Sequence, residues 1–331
     1  MTSTRRILFN ALSFVPGVGA LPPVKARLRS RVVGAVASSS ARYCYSVWMR
    51  HLVLAAERGV DTDFRVVAEL GPGASLGIGL AALLCGCERY EGFDVVRHAA
   101  AARNREILDE LIALLRARAP IPDEREFPGV RPTLHSYAFP HEALSEARLA
   151  RSLSPARIAA IRASLDSLGA PDSAGAADSM IHYRVPWHED SVIREASVDA
   201  VISQAVFEHI DDIGGAYRAI WRWLRPGGYA SHTIDFRSHG WTREWDGHWS
   251  CSDLTWRLIR GRDVWSINRE PCSTHRALLL ASGFRIIGEQ LARTPATQSR
   301  ARLAGRFRAM TEDDRSISGA FFQTIQTAVA S

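Results

Sequence analysis

Short apolar runs and amphipathic segments alternate along most of this chain. RVVAEL (65–70) and YEGFDV (90–95) are short and largely apolar. Such runs are typical of parallel strands, which are buried on both faces and do not alternate apolar with polar residues. NREILDELIALLRAR (104–118) instead repeats its apolar residues every three or four positions, which predicts an amphipathic helix. The alternation indicates a doubly wound α/β sheet.

The same alternation continues to the end of the chain. Further strands are predicted at MIHYRV, VDAVISQAV, YASHTIDF, RIIGEQLA and ISGAFFQTIQTAV. Further helices are predicted at SLGIGLAALLCG, GGAYRAIWRWL, STHRALLLASGF and near residues 145–168. We expect Pro226, Gly227 and Gly228 to stop the GGAYRAIWRWL helix.

Two stretches interrupt this pattern. Residues 119–178 are rich in proline, and residues 237–271 mix His, Trp and Asp. Both leave the predicted sheet at the carboxyl ends of its strands, where ligands bind in open α/β folds. We therefore expect an N-terminal helical segment over residues 1–60 and a main domain over residues 61–331. The two stretches would be lid-like insertions in that domain and would cover a substrate.

Residues 7–31 combine apolar and basic side chains. The apolar part, ILFNALSFVPGVGALPPV, is broken by Asn, Pro and Gly and is too short for the roughly 20 apolar residues of a membrane span. The favoured interpretation is a helix that packs on the domain. The alternative is a patch that touches a membrane surface. The expected location is the cytoplasm, with peripheral contact at the inner membrane surface as the alternative.

Charge and cysteine content narrow the class of protein. The net charge is +6 and the pI is about 9.4, but the basic residues are spread out, and Lys25 is the only lysine. This distribution is a weak argument for nucleic acid, so no nucleic-acid partner is expected. The five cysteines lack a CxxC pattern, which argues against a disulfide framework or a structural zinc site. They fit a reducing compartment.

The segment VVAELGPGASLGIGLAALL joins a strand to a helix through a glycine-rich turn. Gly71, Gly73 and Gly77 would let a ligand approach the backbone at a helix N-terminus. Glu69 ends the strand, and its carboxylate would repel a pyrophosphate but attract a cationic ligand. Asp94 ends the next strand, where an acidic residue can accept hydrogen bonds from ribose hydroxyls.

Four motifs in order resemble those of class I S-adenosylmethionine-dependent methyltransferases. They are ELGPGASLGIGL, GFDV, VDAVISQAVFEHIDD and WRWLRPGGYASHTID. The resemblance covers most of residues 64–236 and, more loosely, the rest of the chain. It implies a Rossmann-like sheet of seven strands, the last one antiparallel, and S-adenosylmethionine as cofactor. GHWSCSDLTWRLIRG and INREPCSTHRALLLASGF are similar, less specifically, to bacterial methyltransferases associated with surface-polysaccharide synthesis.

The resemblance also implies a cofactor site. The loop around the amino acid and sulfonium part of the cofactor would consist of Glu69, Leu70, Gly71, Pro72 and Gly73, with Gly77 at the start of the helix. Asp94 would bind the ribose, and Val95 would lie near the adenine. Gln204 and Ala205 would face the cofactor at the end of the fourth strand. Ile181 and His182 occupy the place where many family members carry an acidic residue for the adenine amino group; backbone groups or Asp178 are the alternatives.

Methyl transfer to a hydroxyl benefits from a general base, most often histidine or a carboxylate. His209, His232 and His239 are the candidates, and Asp235 could orient His239. A metal shared by Asp235 and His239 would need a third ligand, so no metal is expected. The stretch SHTIDFRSHGWTREWDGHWS (231–250) is predicted to form one wall of the acceptor pocket, with its tryptophans stacking on a ring.

The sequence therefore predicts a methyltransferase that acts on a hydroxyl of a small-molecule or glycan acceptor, such as a sugar or a glycan precursor. One alternative is a carbon or nitrogen methyltransferase that acts on a small metabolite. Two alternatives belong to other classes, an NAD(P)-dependent oxidoreductase and a non-catalytic cofactor-binding protein. Glu69 and the LRPGG motif argue against the oxidoreductase. The sequence does not predict an oligomeric state.

Overall fold

A computed structural model describes residues 40–96, 101–168, 179–187, 192–261 and 266–327. Residues 7–31, interpreted as a helix packed on the domain or alternatively as a membrane-surface patch, lie outside these ranges, as does the adenine candidate Asp178. None of the helices within them is long and apolar enough to cross a membrane.

Seven strands form one sheet in the order β3-β2-β1-β4-β5-β7-β6. They are β1 Val66–Leu70, β2 Arg89–Phe93, β3 Ile181–Arg184, β4 Val198–Gln204, β5 Leu224–Asp235, β6 Phe284–Arg293 and β7 Ile317–Gln326. Strand β1 pairs in parallel with β2 and β4, whereas β7 pairs antiparallel with both β5 and β6. The predicted Rossmann-like methyltransferase sheet with an antiparallel last strand is confirmed.

Most helices occupy the intervals that the sequence pattern indicates, with two differences in detail. The helices are α1 Ala41–Glu57, α2 Gly77–Leu84, α3 Ala101–Arg116, α4 Glu146–Ser152, α5 Pro155–Ser167, α6 Ile213–Trp223, α7 Asp253–Arg260, α8 Cys272–Ala281 and α9 Glu312–Ser316. Helices α7 and α9 were not predicted. The helix predicted near 145–168 is two helices, because Ser154 stands at an N-cap and Pro155 begins α5 without an N–H to donate. Helix α6 ends at Trp223 and β5 follows at once, with residues 225–228 bulging out of its pairing with β4.

Helix α1 belongs to the same hydrophobic core as the sheet and helices α2 and α3. Its buried residues Cys44, Trp48 and Leu52 pack in one cluster with Val67 of β1 and Leu80 of α2. This packing places the N-terminal end of α1 beside the carboxyl edge of β1. Helix α1 therefore forms part of the wall of any binding site at this edge of the sheet.

The first insertion is fastened to α1 through Arg50. This arginine is fully buried, and its guanidinium donates to the carbonyl oxygens of Pro122 and Pro132. It also forms an ion pair with Glu124 at 3.0 Å. Farther along, Thr133 is hydrogen-bonded to the side chain of Gln290 on β6. The insertion thus runs from α1 across one face of the sheet toward its edge.

Candidate active site

A cavity of about 920 Å³ lies at the carboxyl ends of β1, β2 and β4. Its walls contain all of the predicted cofactor residues except Gly77. Those residues are Glu69, Leu70, Gly71, Pro72, Gly73, Asp94, Val95, Gln204 and Ala205. Parallel strands end side by side at this edge, so separate motifs in the sequence meet around one space.

The turn after β1 requires glycine at two positions. Gly71 and Gly73 have φ of +65° and +67°, in the left-handed region that disfavours other residues. A Cβ atom on Gly71 would lie 2.5 Å from Cγ2 of Val206, another cavity residue. A residue with a side chain at either position would therefore disturb this turn at the cavity wall.

Gly77 serves packing rather than the cavity wall. It is the first residue of α2, and a Cβ there would lie 2.4 Å from the sulfur of Cys44 on α1. The missing side chain lets the two helices approach each other. Cys44 itself lines the cavity, together with Tyr43 from the same helix.

Glu69 places a carboxyl group at the bottom of the cavity. The Tyr90 hydroxyl donates to this carboxyl group at 2.6 Å, and the exposed fraction of Glu69 is 2%. Burial raises the pKa of Glu69 to about 8, although the hydrogen bond from Tyr90 opposes this shift. A cation in the cavity would favour the ionised form of such a carboxyl group. The sulfonium and amino group of S-adenosylmethionine fit this site.

Asp94 is held in place by two backbone groups. One carboxylate oxygen accepts from the N–H of Gly73 at 3.1 Å, and the other accepts from the N–H of Val95 at 2.8 Å. Each oxygen keeps a second acceptor position, so the group can bind a pair of hydroxyls. The aspartate also links the glycine turn to the end of β2. These contacts fit the role in ribose binding that the resemblance implies.

An apolar part of the cavity lies beyond β2 and β3. Val95 and Val96 line it with exposed fractions of 46% and 42%, and Trp187 and Ile210 also contribute. Trp187 packs edge-on against Trp223 of α6, with ring centroids 5.5 Å apart. A flat apolar ring such as adenine fits between these surfaces.

The residues at the expected adenine position take other roles. Ile181 is buried in the core, and His182 lies with Nδ1 2.9 Å from the Glu91 carboxylate. Neither lines the cavity. Trp187, six residues after Ile181, does line it. Its position directly after β3 in the segment YRVPW was a usable signal that the sequence analysis missed.

Among the histidine candidates, His209 reaches the cavity wall. It ends a 3-10 turn, Phe207–His209, that follows β4. The ring of His239 lies behind it, with centroids 5.4 Å apart and planes at 65°. His239 has a left-handed φ of +49°, and its Nε2 atom is 3.2 Å from Oδ2 of Asp235. The structure thus joins His209, His239 and Asp235 into one group.

The electrostatics of this group favour a charged His239. Burial alone would lower its pKa, but the hydrogen bond and charge of Asp235 and the charge of Glu208 raise the pKa above the usual histidine value. Burial opposes ionisation of Asp235 too, yet His239 and Arg237 hold its pKa well below the usual range. His239 and Asp235 therefore form a pair, and the His239 ring packs against that of His209.

Glu208 is a buried acid next to this pair. Its exposed fraction is 3%, and burial raises its pKa to about 8. Neither carboxyl oxygen has a hydrogen-bond partner of normal geometry, although backbone groups of Glu208 and Asp235 lie close enough to lower its pKa. The side chain does not line the cavity.

His232 is buried in the core and does not line the cavity. Its exposed fraction is 0%, and its Nδ1 atom is 2.9 Å from the hydroxyl of Ser203. The ring packs against Phe207 and Tyr217, and burial lowers its pKa to about 3. A histidine in this place supports the turn that carries His209 but has no access to a substrate.

The second insertion contributes to the cavity through an arginine rather than through its tryptophans. Trp245 and Trp249 donate their indole N–H groups to the carbonyls of Pro295 and Arg269 and lie away from the cavity. Arg260, at the end of α7, lines the cavity and forms two hydrogen bonds of 2.7 and 2.6 Å with Asp211. Across the described ranges, no three His, Cys, Asp or Glu side chains are grouped to hold a metal ion.

A family model matches the part of the chain from β3 to β5, which excludes the glycine turn and Asp94. Residues 141–231 match the family model of a methyltransferase domain, a range that holds β3, β4, the turn of His209 and most of β5. Among curated proteins, no sequence matches the chain. The match and the fold together support an S-adenosylmethionine-dependent methyltransferase, with S-adenosylmethionine as cofactor.

Solved structures with a similar fold share little sequence. An S-adenosylmethionine-dependent methyltransferase of Mesorhizobium loti is 14% identical, with 79% of this chain and 90% of that one covered and a TM-score of 0.36. A phosphoethanolamine N-methyltransferase of Haemonchus contortus in complex with S-adenosylmethionine is 13% identical, with coverages of 85% and 53% and a TM-score of 0.40. The YcgJ protein of Bacillus subtilis is 10% identical, with coverages of 84% and 98% and a TM-score of 0.41. With these values, none of the three carries an argument about the substrate.

Proposed function

We propose that this protein transfers a methyl group from S-adenosylmethionine to a hydroxyl of a sugar or glycan precursor. The observation that carries the hydroxyl assignment is His209 on the wall of the cofactor cavity, with His239 and Asp235 behind it. A hydroxyl must lose its proton when it is methylated, and histidine is the commonest group to accept one. The sugar assignment rests on the sequence resemblance of the second insertion to enzymes of polysaccharide synthesis.

The chain's own residues position the reaction. Glu69 and Asp94 fix the cationic and ribose parts of the cofactor, while the glycine turn lets it lie close to the backbone. The cofactor supplies an activated methyl group when bound. His209 would hold the acceptor hydroxyl by a hydrogen bond and take its proton as the oxygen attacks.

His239 has a supporting part in this proposal. It was a candidate base, but its side chain lies behind His209 and carries a raised pKa. His239 does not line the cavity, and its ring packs against the ring of His209 and so limits its orientation. Asp235 in turn holds His239, with Oδ2 3.2 Å from Nε2.

A binding and turnover experiment tests the proposal. Calorimetry with S-adenosylmethionine, its demethylated product and NAD(P) establishes the cofactor, and a panel of nucleotide sugars, other sugars and amines is then screened with labelled cofactor. His209→Ala should keep cofactor affinity and lose roughly 10²–10⁴ in turnover, the usual contribution of a general base. His141→Ala, at an exposed histidine outside the cavity, is the matched control.

Several results would overturn the proposal. Tight binding of NAD(P) without S-adenosylmethionine would exclude a methyltransferase. Methylation of a nitrogen or a carbon would support the alternative methyltransferase class. Full turnover by His209→Ala would remove the histidine from catalysis.

A cytoplasmic location stays a prediction, and contact of residues 7–31 with the inner membrane surface stays the alternative.

A further inference from the structure

The turn that carries His209 is too short to hold its own shape. Within Phe207–His209, His209 N–H donates to Val206 at 2.9 Å, and the N–H of Ile210 donates to Phe207 at 3.3 Å. A single 3-10 turn has poor hydrogen-bond geometry and little cooperativity. The residue before it in the cavity wall, Ala205, has a left-handed φ of +55°. Contacts from elsewhere must therefore fix the turn.

Asn268 of the second insertion provides these contacts. Its side-chain amide donates to the carbonyl oxygens of Phe207 at 2.7 Å and Ile210 at 2.8 Å. Its backbone N–H donates to the carbonyl oxygen of Glu208 at 2.7 Å. One residue thus bonds to the backbone on both sides of His209.

The orientation of this amide is determined by its surroundings. Both carbonyl partners accept hydrogen bonds, so they must face the NH₂ group of Asn268. The amide oxygen accepts from the backbone N–H of Glu270 at 2.9 Å. All three contacts require the same orientation of the amide. A carboxylate in this place would have an oxygen, which can only accept, facing the two carbonyl oxygens.

The backbone beside Asn268 is strained, and the insertion holds it there. Arg269 has a left-handed φ of +73°, which is unfavourable for a residue with a side chain. Its buried guanidinium donates to Cys251 at 2.8 Å and His248 at 3.2 Å, and its carbonyl accepts from Trp249 at 3.0 Å. The core of the insertion thus enforces the conformation that aims Asn268 at the turn.

We propose that Asn268 is a positioning residue for His209. The second insertion then acts on catalysis through the backbone of the turn, and the His and Trp residues of its core support that contact. This inference rests on the proposed role of His209 as the base. It explains why residues with site-like composition lie away from the cavity.

The test uses Asn268→Asp, which keeps the size of the side chain and removes both donated hydrogen bonds. We expect turnover to fall at least about tenfold, because small misplacements of a catalytic group are costly. Affinity for S-adenosylmethionine should fall less than turnover, because Asn268 bonds the His209 turn and Ile210 but not Glu69 or Asp94. The pH profile of turnover should shift, since the environment of His209 changes. Asn268→Ser, which can still donate one hydrogen bond, should recover part of the loss and covers the case in which Asn268→Asp fails to fold.

The matched control is Asp246→Asn in the same insertion. Asp246 is buried and accepts from the N–H groups of Thr297 and Gln298 rather than binding the turn. This variant should lower the melting temperature and leave the pH profile unchanged. An equal loss of turnover in Asp246→Asn and Asn268→Asp would overturn the inference, because general loosening of the insertion would then explain both.

A double variant separates this inference from the proposed function. In a His209→Ala background, Asn268→Asp should have no further effect on turnover, because two residues that act as a unit are not additive. Multiplicative losses would overturn the positioning role. Full activity of His209→Ala would instead overturn the proposed function, whatever Asn268 does.

Discussion

Replacing the buried Arg50 by Met should release the first insertion from α1. The side chain is fully buried and donates to the carbonyls of Pro122 and Pro132, to the hydroxyl of Ser46 and to Glu124. Methionine fills much of the same volume with an apolar chain, so the change removes charge and donors while it limits the cavity left behind. The backbone carbonyl of Pro132 loses this donor, whereas the carbonyl of Pro122 keeps a hydrogen bond from the Ser46 hydroxyl.

The expected cost follows from these contacts. One buried carbonyl without its donor, that of Pro132, costs about 1–3 kcal/mol, and breaking a fully buried ion pair costs about 3–5 kcal/mol. Glu124 is 36% exposed, so water replaces part of the ion pair and reduces the cost of breaking it. We therefore expect the free energy of unfolding to fall by about 3–5 kcal/mol in total. At an unfolding entropy of about 2.1 cal/mol/K per residue, the melting temperature should fall by roughly 4–7 °C.

The control is Arg42→Met on the same helix. Arg42 also binds the first insertion, through Glu126, but its side chain is 47% exposed. Such a surface pair contributes about 0.2–1 kcal/mol, so the melting temperature should fall by about 1 °C or less. Differential scanning calorimetry gives both values, and hydrogen exchange over residues 120–137 should rise in Arg50→Met alone. Equal shifts in the two variants would refute the argument that burial decides the strength of the anchor.

Three further outcomes can be checked. Asp94→Ala should reduce affinity for S-adenosylmethionine at least about tenfold in calorimetry, because hydrogen bonds to a charged acceptor contribute about 1.5–3 kcal/mol each; unchanged affinity in a folded variant would contradict the ribose role. Gly71→Val should abolish cofactor binding, because the added atoms meet Val206 and the φ of +65° is unfavourable; detectable binding would contradict that. Burial lowers the pKa of four histidines, to about 4 or about 3, so stability should fall below about pH 6.5, where the unfolded chain takes up protons. The pKa of Glu69 and Glu208 is raised to about 8, so stability should also fall as pH rises toward 8. The melting temperature in a thermal-shift series should therefore be highest at about pH 6.5, and a flat profile would contradict the burial of these groups. The four histidines are His51, His232, His248 and His275.

The cofactor end of the cavity could be predicted from sequence because its requirements are local. The turn after β1 needs glycine for its left-handed φ angles at Gly71 and Gly73, and this requirement is visible in the sequence itself. The ribose-binding role of Asp94 could be predicted from its place directly after the next strand, β2. Gly77 belongs to the same motif, but the reason for it lies in Cys44 of α1, which is distant in the sequence.

The acceptor side could not be predicted in the same way. Arg260 and Asp211 are 49 residues apart in the sequence, and Arg260 lies on a helix that also carries Arg257. The stretch 231–250 has the composition of a site, yet Trp249 is 1% exposed and His248 is buried. Polar and aromatic residues can serve a compact insertion as well as a ligand, and composition does not separate the two. The pairing of Asp235 with His239, four residues apart, was suggested by spacing, and the structure places them 3.2 Å apart.

The two insertions are bonded to the same side of the cavity. The carbonyl of Arg131 in the first insertion accepts from the side chain of Gln204 at 3.2 Å. Asn268 in the second insertion binds the turn that follows the same strand. The cofactor residues of β1 and β2 receive neither contact. We therefore expect changes in either insertion to act first on Gln204, His209 and Ile210, and to leave the hydrogen bonds of Glu69 and Asp94 in place.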